Sequence, residues 1–199
     1  MGSSRNVSIL LFDDVEVLDF AGPFEVFAVT AGDPKPFQVS TVSERSGKIA
    51  ARNGLLVEPH FTLENAPKAN VLVIPGGQGT RKEMRNEALL RWIGTAAAGA
   101  ELILSVCTGA LLLAKAGLLD GLSATTHHGA MELLKKTAPK TTVLPGKKFV
   151  DNGKIVTSAG ISAGIDASLY AVSKLLGSEI ALQTARHMEY DWSPEGARP

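Results

Sequence analysis

The stretch from Leu102 to Ala114 constrains the fold more than any other part of the chain. A short apolar run, Leu102 to Val106, meets the single cysteine, Cys107, then Thr108 and Gly109, then an alanine- and leucine-rich segment. Periodicity alone does not separate a buried strand from a buried helix. The brevity of the run and the break at Cys107-Thr108-Gly109 favour a strand that turns sharply into a helix, with the thiol at the turn. A thiol so placed faces the positive end of a helix, whose free N–H groups stabilise a thiolate. Amides beyond the turn can serve a developing anion. A lone cysteine among apolar residues is ordinarily a small buried hydrophobe, so the rest of the chain has to decide between the two readings.

The same grammar recurs along the sequence. Apolar runs at Val7 to Phe12, Phe37 to Val42 and Val71 to Ile74 read as strands. Helical spacing is expected over Glu83 to Ala98 (with Met84, Leu89, Leu90, Trp92 and Ile93 inward), Ala130 to Lys136, Ile165 to Leu176 and Glu179 to Met188. Gly177 is a stop signal between the last two. Asn53-Gly54 and Asp151-Asn152-Gly153 mark two hairpins. Pro23 suits the first turn of a short helix beginning near Phe24, which leaves Asp19 in the connection just beyond the first strand. The tail from Asp191 to Pro194 is expected to be irregular unless it packs on the body. Short strands alternating with helices predict an α/β fold, an open, mostly parallel sheet with helices on both faces. The 199 residues fit a single domain with its core over residues 6–190.

In such folds ligands bind beyond the carboxyl ends of the strands. Asp19, Gly76, Gly77, Cys107, Thr108 and His127 each follow a candidate strand, which places them at one rim. Cys107 is then a candidate nucleophile. The amides of Gly76, Gly77 and Thr108 are candidate donors to negative charge, since adjacent glycines leave the backbone uncovered. Asp19 beside a thiolate is a like-charge pair, so its pKa is expected to rise and the two groups to share a proton. His127 is a possible supporting residue; a histidine at a strand end is more commonly a structural hydrogen-bonder. The loop Pro75 to Thr80 matches neither a phosphate loop nor a dinucleotide fingerprint, and no Gly-x-Ser-x-Gly elbow occurs.

Composition excludes several classes. Twenty basic residues balance twenty acidic ones, and there is no basic tract or clustered basic face to suggest nucleic acid or an acidic membrane. One cysteine precludes an intrachain disulfide or a cysteine zinc cluster. The four histidines are scattered, and adjacent His127 and His128 are expected to point apart, so no metal site is indicated. The polar start lacks a secretion signal, and no apolar run approaches a membrane span, so a cytoplasmic location is expected.

Five ordered segments carry a resemblance: Leu18 to Pro23 with Glu25-Val26-Phe27; Ile74 to Gly79; Ser105 to Ala110; Ala124 to His127; and Thr157 to Asp166. Over nearly the whole chain it resembles the ThiJ/PfpI superfamily (DJ-1/PfpI domain), with its class I glutamine-amidotransferase-like, flavodoxin-like three-layer fold. More narrowly it is similar to the isonitrile hydratase branch, through the Leu-Asp-x-x-Gly-Pro, Cys-Thr and Gly-Ile-x-Ala-Gly-x-Asp segments.

That resemblance implies addition of water to an isonitrile to give an N-substituted formamide. Cys107 would attack the terminal carbon, Asp19 would position or activate water, and Thr108 would orient the reacting groups. It further implies no metal or organic cofactor, a small-molecule substrate and a homodimer. A regulator with a fused DNA-binding module is not expected, as the sequence ends at Pro199. Two positions depart from the branch pattern: Arg85 follows Met84 where an acid is usual (Glu83 and Glu87 being the nearby candidates), and His128 stands where an aromatic residue is common. Alternatives from other classes are a glyoxalase- or deglycase-like enzyme on small 2-oxoaldehydes and a redox or ligand sensor without turnover.

Overall fold

The computed structural model describes residues 4–194. The first half of the chain runs β1 (Arg5–Leu11), α1 (Val17–Val29), β2 (Phe37–Ser43), β3 (Ile49–Ala50), β4 (Leu56–Val57), β5 (Phe61–Thr62), β6 (Val71–Ile74), α2 (Thr80–Glu83) and α3 (Glu87–Gly99). The second half runs β7 (Leu102–Ser105), α4 (Gly109–Lys115), β8 (Ser123–Ala124), α5 (Met131–Thr137), β9 (Thr142–Val143), β10 (Phe149–Asp151), β11 (Ile155–Ser158), α6 (Ala163–Leu176) and α7 (Ser178–His187).

Seven strands make one sheet in the order β10-β11-β7-β6-β1-β2-β5, parallel throughout except for the β10–β11 pair. Every residue of β6 is buried, which is why it reads Val71-Leu72-Val73-Ile74 without alternation: helices cover both sheet faces. The helices form two packed groups, α1 with α6 and α7, and α2, α3 and α5 around α4. From β1 the chain turns to β2 on one side, and β6 returns on the other. The topological switch point therefore lies between β1 and β6, where open sheets of this kind leave a crevice. Ile74 and Thr157 both register against Ser105. As a result β6, β7 and β11 end level, and their following loops leave the sheet together.

The expected hairpins form, as β3–β4 and β10–β11. Two local expectations fail. Pro23 lies inside α1, and Asp19 sits in that helix's first turn rather than in a connection before it. Proline removes one helical hydrogen bond, but α1 buries Phe20, Val26 and Phe27, and packing of that face outweighs the local signal. The helix expected over Glu83 to Ala98 is broken. The side chain of Asn86 accepts from Leu89 N–H at 3.2 Å and caps α3, a local bond that competes with continuing the helix. The tail does pack: Trp192 is buried, and Tyr190 Oη donates to Asp166 at 3.1 Å. Among the described residues no helix is long and apolar enough to cross a membrane.

The approach of α4 to β6 gives a test with opposite signs at two helical glycines. A β-carbon on Gly109 would clash with the Ile74 carbonyl oxygen, whereas one on Gly94 in α3 would meet nothing within 4 Å. Urea unfolding of Gly109→Ala should show a loss of about 1–3 kcal/mol or more. Gly94→Ala should gain up to about 1 kcal/mol. Similar midpoints for the two variants would contradict the close packing described.

Candidate active site

Three loops that leave the sheet together build the site. Cys107 takes φ 56°, a left-handed conformation that costs a non-glycine residue and persists only where neighbours enforce it. Its N–H donates to Ala159 O at 3.0 Å, and Thr126 Oγ1 donates to the Cys107 carbonyl at 2.7 Å. Val106 N–H donates to Ile74 O at 3.0 Å. The elbow is thus tied to β6, to the β11 loop and to the strand end at Thr126.

Asp19 comes from the opposite side and is fully buried. Its Oδ2 accepts from Gly76 N–H and its Oδ1 from Ile161 N–H, each at 3.1 Å. The thiol of Cys107 donates to the same carboxylate. Burial pushes the Asp19 carboxyl up to about 7; Glu16 nearby adds to the rise, and the thiol and the two amides oppose it. Burial, then the charge of Asp19, push the Cys107 thiol up to about 12, against hydrogen bonds to the sulfur from Thr108 N–H and Ile161 N–H.

The expectation of a thiolate stabilised at rest by the helix end is therefore corrected. Desolvation and the neighbouring carboxylate outweigh the amides, and the resting sulfur is a thiol that gives its hydrogen bond to Asp19. Above about pH 7 the pair therefore holds a single proton, on the sulfur. Cys107 is 6% exposed, yet it lines a cleft of about 330 Å³ together with Glu16, Arg52, Arg81, Thr108 and His127.

The glycine loop also differs from its expected role. Gly76 N–H is directed at Asp19, and Gly77 N–H donates to Thr108 Oγ1 at 2.9 Å. Both amides hold site residues in place instead of facing the cleft. The amides that reach the sulfur are those of Thr108 and Ile161. Thr108 Oγ1 lies 3.2 Å from the Gly77 carbonyl, so its hydroxyl belongs to that loop.

His127 faces the cleft, with Nδ1 accepting from Gly129 N–H at 3.1 Å. Among the described residues no hydrogen bond joins it to Cys107. Burial, then the charges of His128 and Arg81, lower its pKa, which leaves the ring neutral at neutral pH. Contrary to expectation the rings of His127 and His128 lie together, with centroids 4.1 Å apart. Neither acid near Arg85 points to the cleft: buried Glu83 accepts from Asn86 Nδ2 at 2.9 Å, and exposed Glu87 pairs with Arg91. Among the described residues no group of three or more histidine, cysteine, aspartate or glutamate side chains is placed to share a metal ion.

Sequence reasoning missed three contributors. Ile161 has φ 57° and bridges acid and sulfur through its N–H; its only sequence signal is the small-residue stretch around it. Thr126 pins the elbow carbonyl. Arg81 donates to Gly77 O at 3.2 Å and to Thr80 Oγ1 at 3.0 Å, and borders the cleft.

A parallel α/β sheet with a left-handed cysteine elbow, hydrogen-bonded to a buried acid from the first helix, defines a cysteine-elbow α/β domain. The model of the DJ-1/PfpI family matches residues 5–174, and the chain belongs to that family. Over 189 residues it is 36% identical to an isonitrile hydratase of Pseudomonas putida, covering 94% of this chain and 79% of that protein. It is 30% identical to the HTH-type transcriptional regulator CdhR of Pseudomonas aeruginosa, over 92% of this chain and 54% of the regulator, so it spans about half of that relative. A solved ThiJ/PfpI family protein from Pseudomonas syringae superposes with a TM-score of 0.86 at 27% identity, covering 96% of this chain and 77% of that one.

The coupling of the pair is measurable without a substrate. Asp19→Asn removes both the charge and the ionised acceptor that raise the thiol pKa, so the sulfur should ionise at lower pH. The midpoint of iodoacetamide alkylation against pH should fall by about one unit or more relative to wild type. An unchanged midpoint would mean that the two groups do not share a proton.

Proposed function

We propose that the protein is a hydratase that adds water to an isonitrile by cysteine catalysis, within a cytoplasmic setting where a single thiol stays reduced. The observation that carries this reading is the left-handed elbow of Cys107 on a small cleft, backed by the buried carboxyl of Asp19. The similarity to an isonitrile hydratase supports the substrate class.

The reaction R–N≡C + H2O → R–NH–CHO needs one proton delivered to carbon and one nucleophile on the same carbon. As the Cys107 sulfur bonds to the terminal carbon, its proton passes to Asp19 and from there to that carbon. The product is a thioimidate, R–N=CH–S–Cys. Asp19, again a carboxylate, takes a proton from water as the oxygen adds to the carbon, and that proton goes to nitrogen. The resulting R–NH–CH(OH)–S–Cys collapses to the formamide when the C–S bond breaks and the hydroxyl proton returns to sulfur through Asp19. The Thr108 and Ile161 amides hold charge on sulfur during the first and last steps. Thr108 keeps the glycine loop in register with the elbow. His127, neutral, lines the wall.

Wild type incubated with cyclohexyl isocyanide should give N-cyclohexylformamide by chromatography. Cys107→Ala should lose turnover by about three orders of magnitude or more, and Asp19→Asn by roughly 10²–10⁴. Because Asp19 must start as the carboxylate, kcat/KM should rise with pH through about 7 and then stay level until the thiol itself ionises. Absence of formamide with wild type removes the reading. Lactate from methylglyoxal would favour the 2-oxoaldehyde enzyme, and peroxide sensitivity with no turnover would favour a sensor.

We propose further that the protein is a homodimer and that the neighbouring exposed side chains of Leu55 and Leu56 lie in its interface. Sedimentation should give twice the chain mass for wild type and a reduced dimer fraction for a Leu55→Asp, Leu56→Asp variant. A monomeric wild type would remove this part of the proposal.

A further inference from the structure

Although the sequence shows no basic tract, folding gathers one. Beside the cleft lies a groove of about 380 Å³ between α2, α4 and α5, whose seven lining residues include Arg81, Met84, Arg85, Lys115, Leu133 and Lys136. Four of the seven carry positive charge, and no carboxylate lines the groove. Among the described residues none of the four makes an ion pair with an acid. The nearest acids on the same elements are engaged elsewhere: Glu83 with Asn86, and Glu132 with Lys135. Lys115 and Lys136 sit in the last turns of α4 and α5, where the carbonyl ends offset part of their charge. Arg81 sits in the last turn of α2 and Arg85 directly follows that helix's C-cap; Glu44 and Glu83 share an adjoining pocket with them, but neither acid forms an ion pair with either arginine.

Arg81 belongs to both spaces. Its Nη1 is fixed on the Gly77 carbonyl and the Thr80 hydroxyl, at the edge of the cleft that holds Cys107, and the same side chain forms one wall of the groove. From Cys107 to Lys115 the chain advances by eight residues, about 12 Å along the helix direction. The other cation at the cleft, Arg52, is paired with Glu16 at 3.4 Å, so the unpaired positive charge lies on the Arg81 side. Met84 and Leu133 give the groove an apolar floor suited to a methylene chain.

We infer that the groove is a subsite for the anionic end of the substrate, so that the molecule turned over at Cys107 is an isonitrile whose chain ends in a carboxylate. The substrate class rests on the hydratase reading above; the anion site stands on its own geometry. Arg81 lies closest to the reacting end, and Arg85, Lys115 and Lys136 receive the charge farther along.

Two measurements keep these apart. Calorimetric titration with adipate at low salt should show saturable binding to wild type, reduced about tenfold in an Arg85→Ala, Lys136→Ala variant, as expected for the loss of two exposed ion pairs. Binding should weaken as salt is raised, since these charges face solvent. In kinetics, ω-isocyanohexanoate and hexyl isocyanide present the same reactive carbon with and without the charge. Wild type should favour the charged compound in kcat/KM through a lower KM, and the double variant should lose roughly tenfold of that preference.

Neither isonitrile reacting while adipate still binds through Arg85 and Lys136 would overturn the hydratase reading and keep the anion site. No adipate binding, or equal binding to the variant, would overturn the site. Inorganic phosphate binding more tightly than adipate, without a kinetic preference for the charged isonitrile, would overturn it in favour of an effector site.

Discussion

The meeting of a sulfur and a carboxylate, Cys107 and Asp19, both buried, organises this site. Two buried anions side by side would carry a heavy desolvation cost and repel each other. A single negative charge shared by the pair is held by a few amides, and the fold supplies them. The Gly76 and Ile161 N–H groups reach the carboxylate, and the Thr108 and Ile161 N–H groups reach the sulfur. These amides come from loops after β6, β7 and β11, and they converge because those strands end level in the sheet. The long-range topology thus sets the protonation state of two side chains.

Burial gives the pair its reactivity and its restraint together. At rest the thiol is weaker as a nucleophile than an exposed cysteine, since little of it is ionised. Its proton has somewhere specific to go, to a carboxyl whose affinity is tuned close to neutral pH. In the proposed reaction, proton transfer accompanies bond formation at sulfur and needs no standing thiolate; a resting thiol is also less open to oxidation.

Much of this was legible in the chain, and the exceptions have a common cause. The runs at Val71 to Ile74 and Leu102 to Val106 announce buried parallel strands, and Cys107-Thr108-Gly109 announces the elbow, because those signals are local. Asp19 could be placed at the same rim by chain order, but its helical setting could not: Pro23 reads as a helix start until the packing of Phe20, Val26 and Phe27 is known. The break at Asn86 hides in a sequence that is helical by composition. The shifted thiol, the engaged Gly76 and Gly77 amides and the role of Ile161 depend on which atoms meet across segments far apart in sequence. Arg81, Arg85, Lys115 and Lys136 are separated along the chain and become a cluster only through the packing of α2, α4 and α5.

The left-handed backbone at position 107 also bears on how such a protein can change over time. A β-branched residue is poorly tolerated at φ 56°, so threonine is effectively closed to the lineage as a replacement nucleophile. Glycine, and to a lesser degree asparagine, suit the conformation better than cysteine does. Drift at this position therefore runs downhill toward residues that relax the turn and discard the chemistry, while sheet, cleft and rim survive. On the proposed function, a descendant that took that path would inherit a ready-made receptor for the molecules its ancestor transformed.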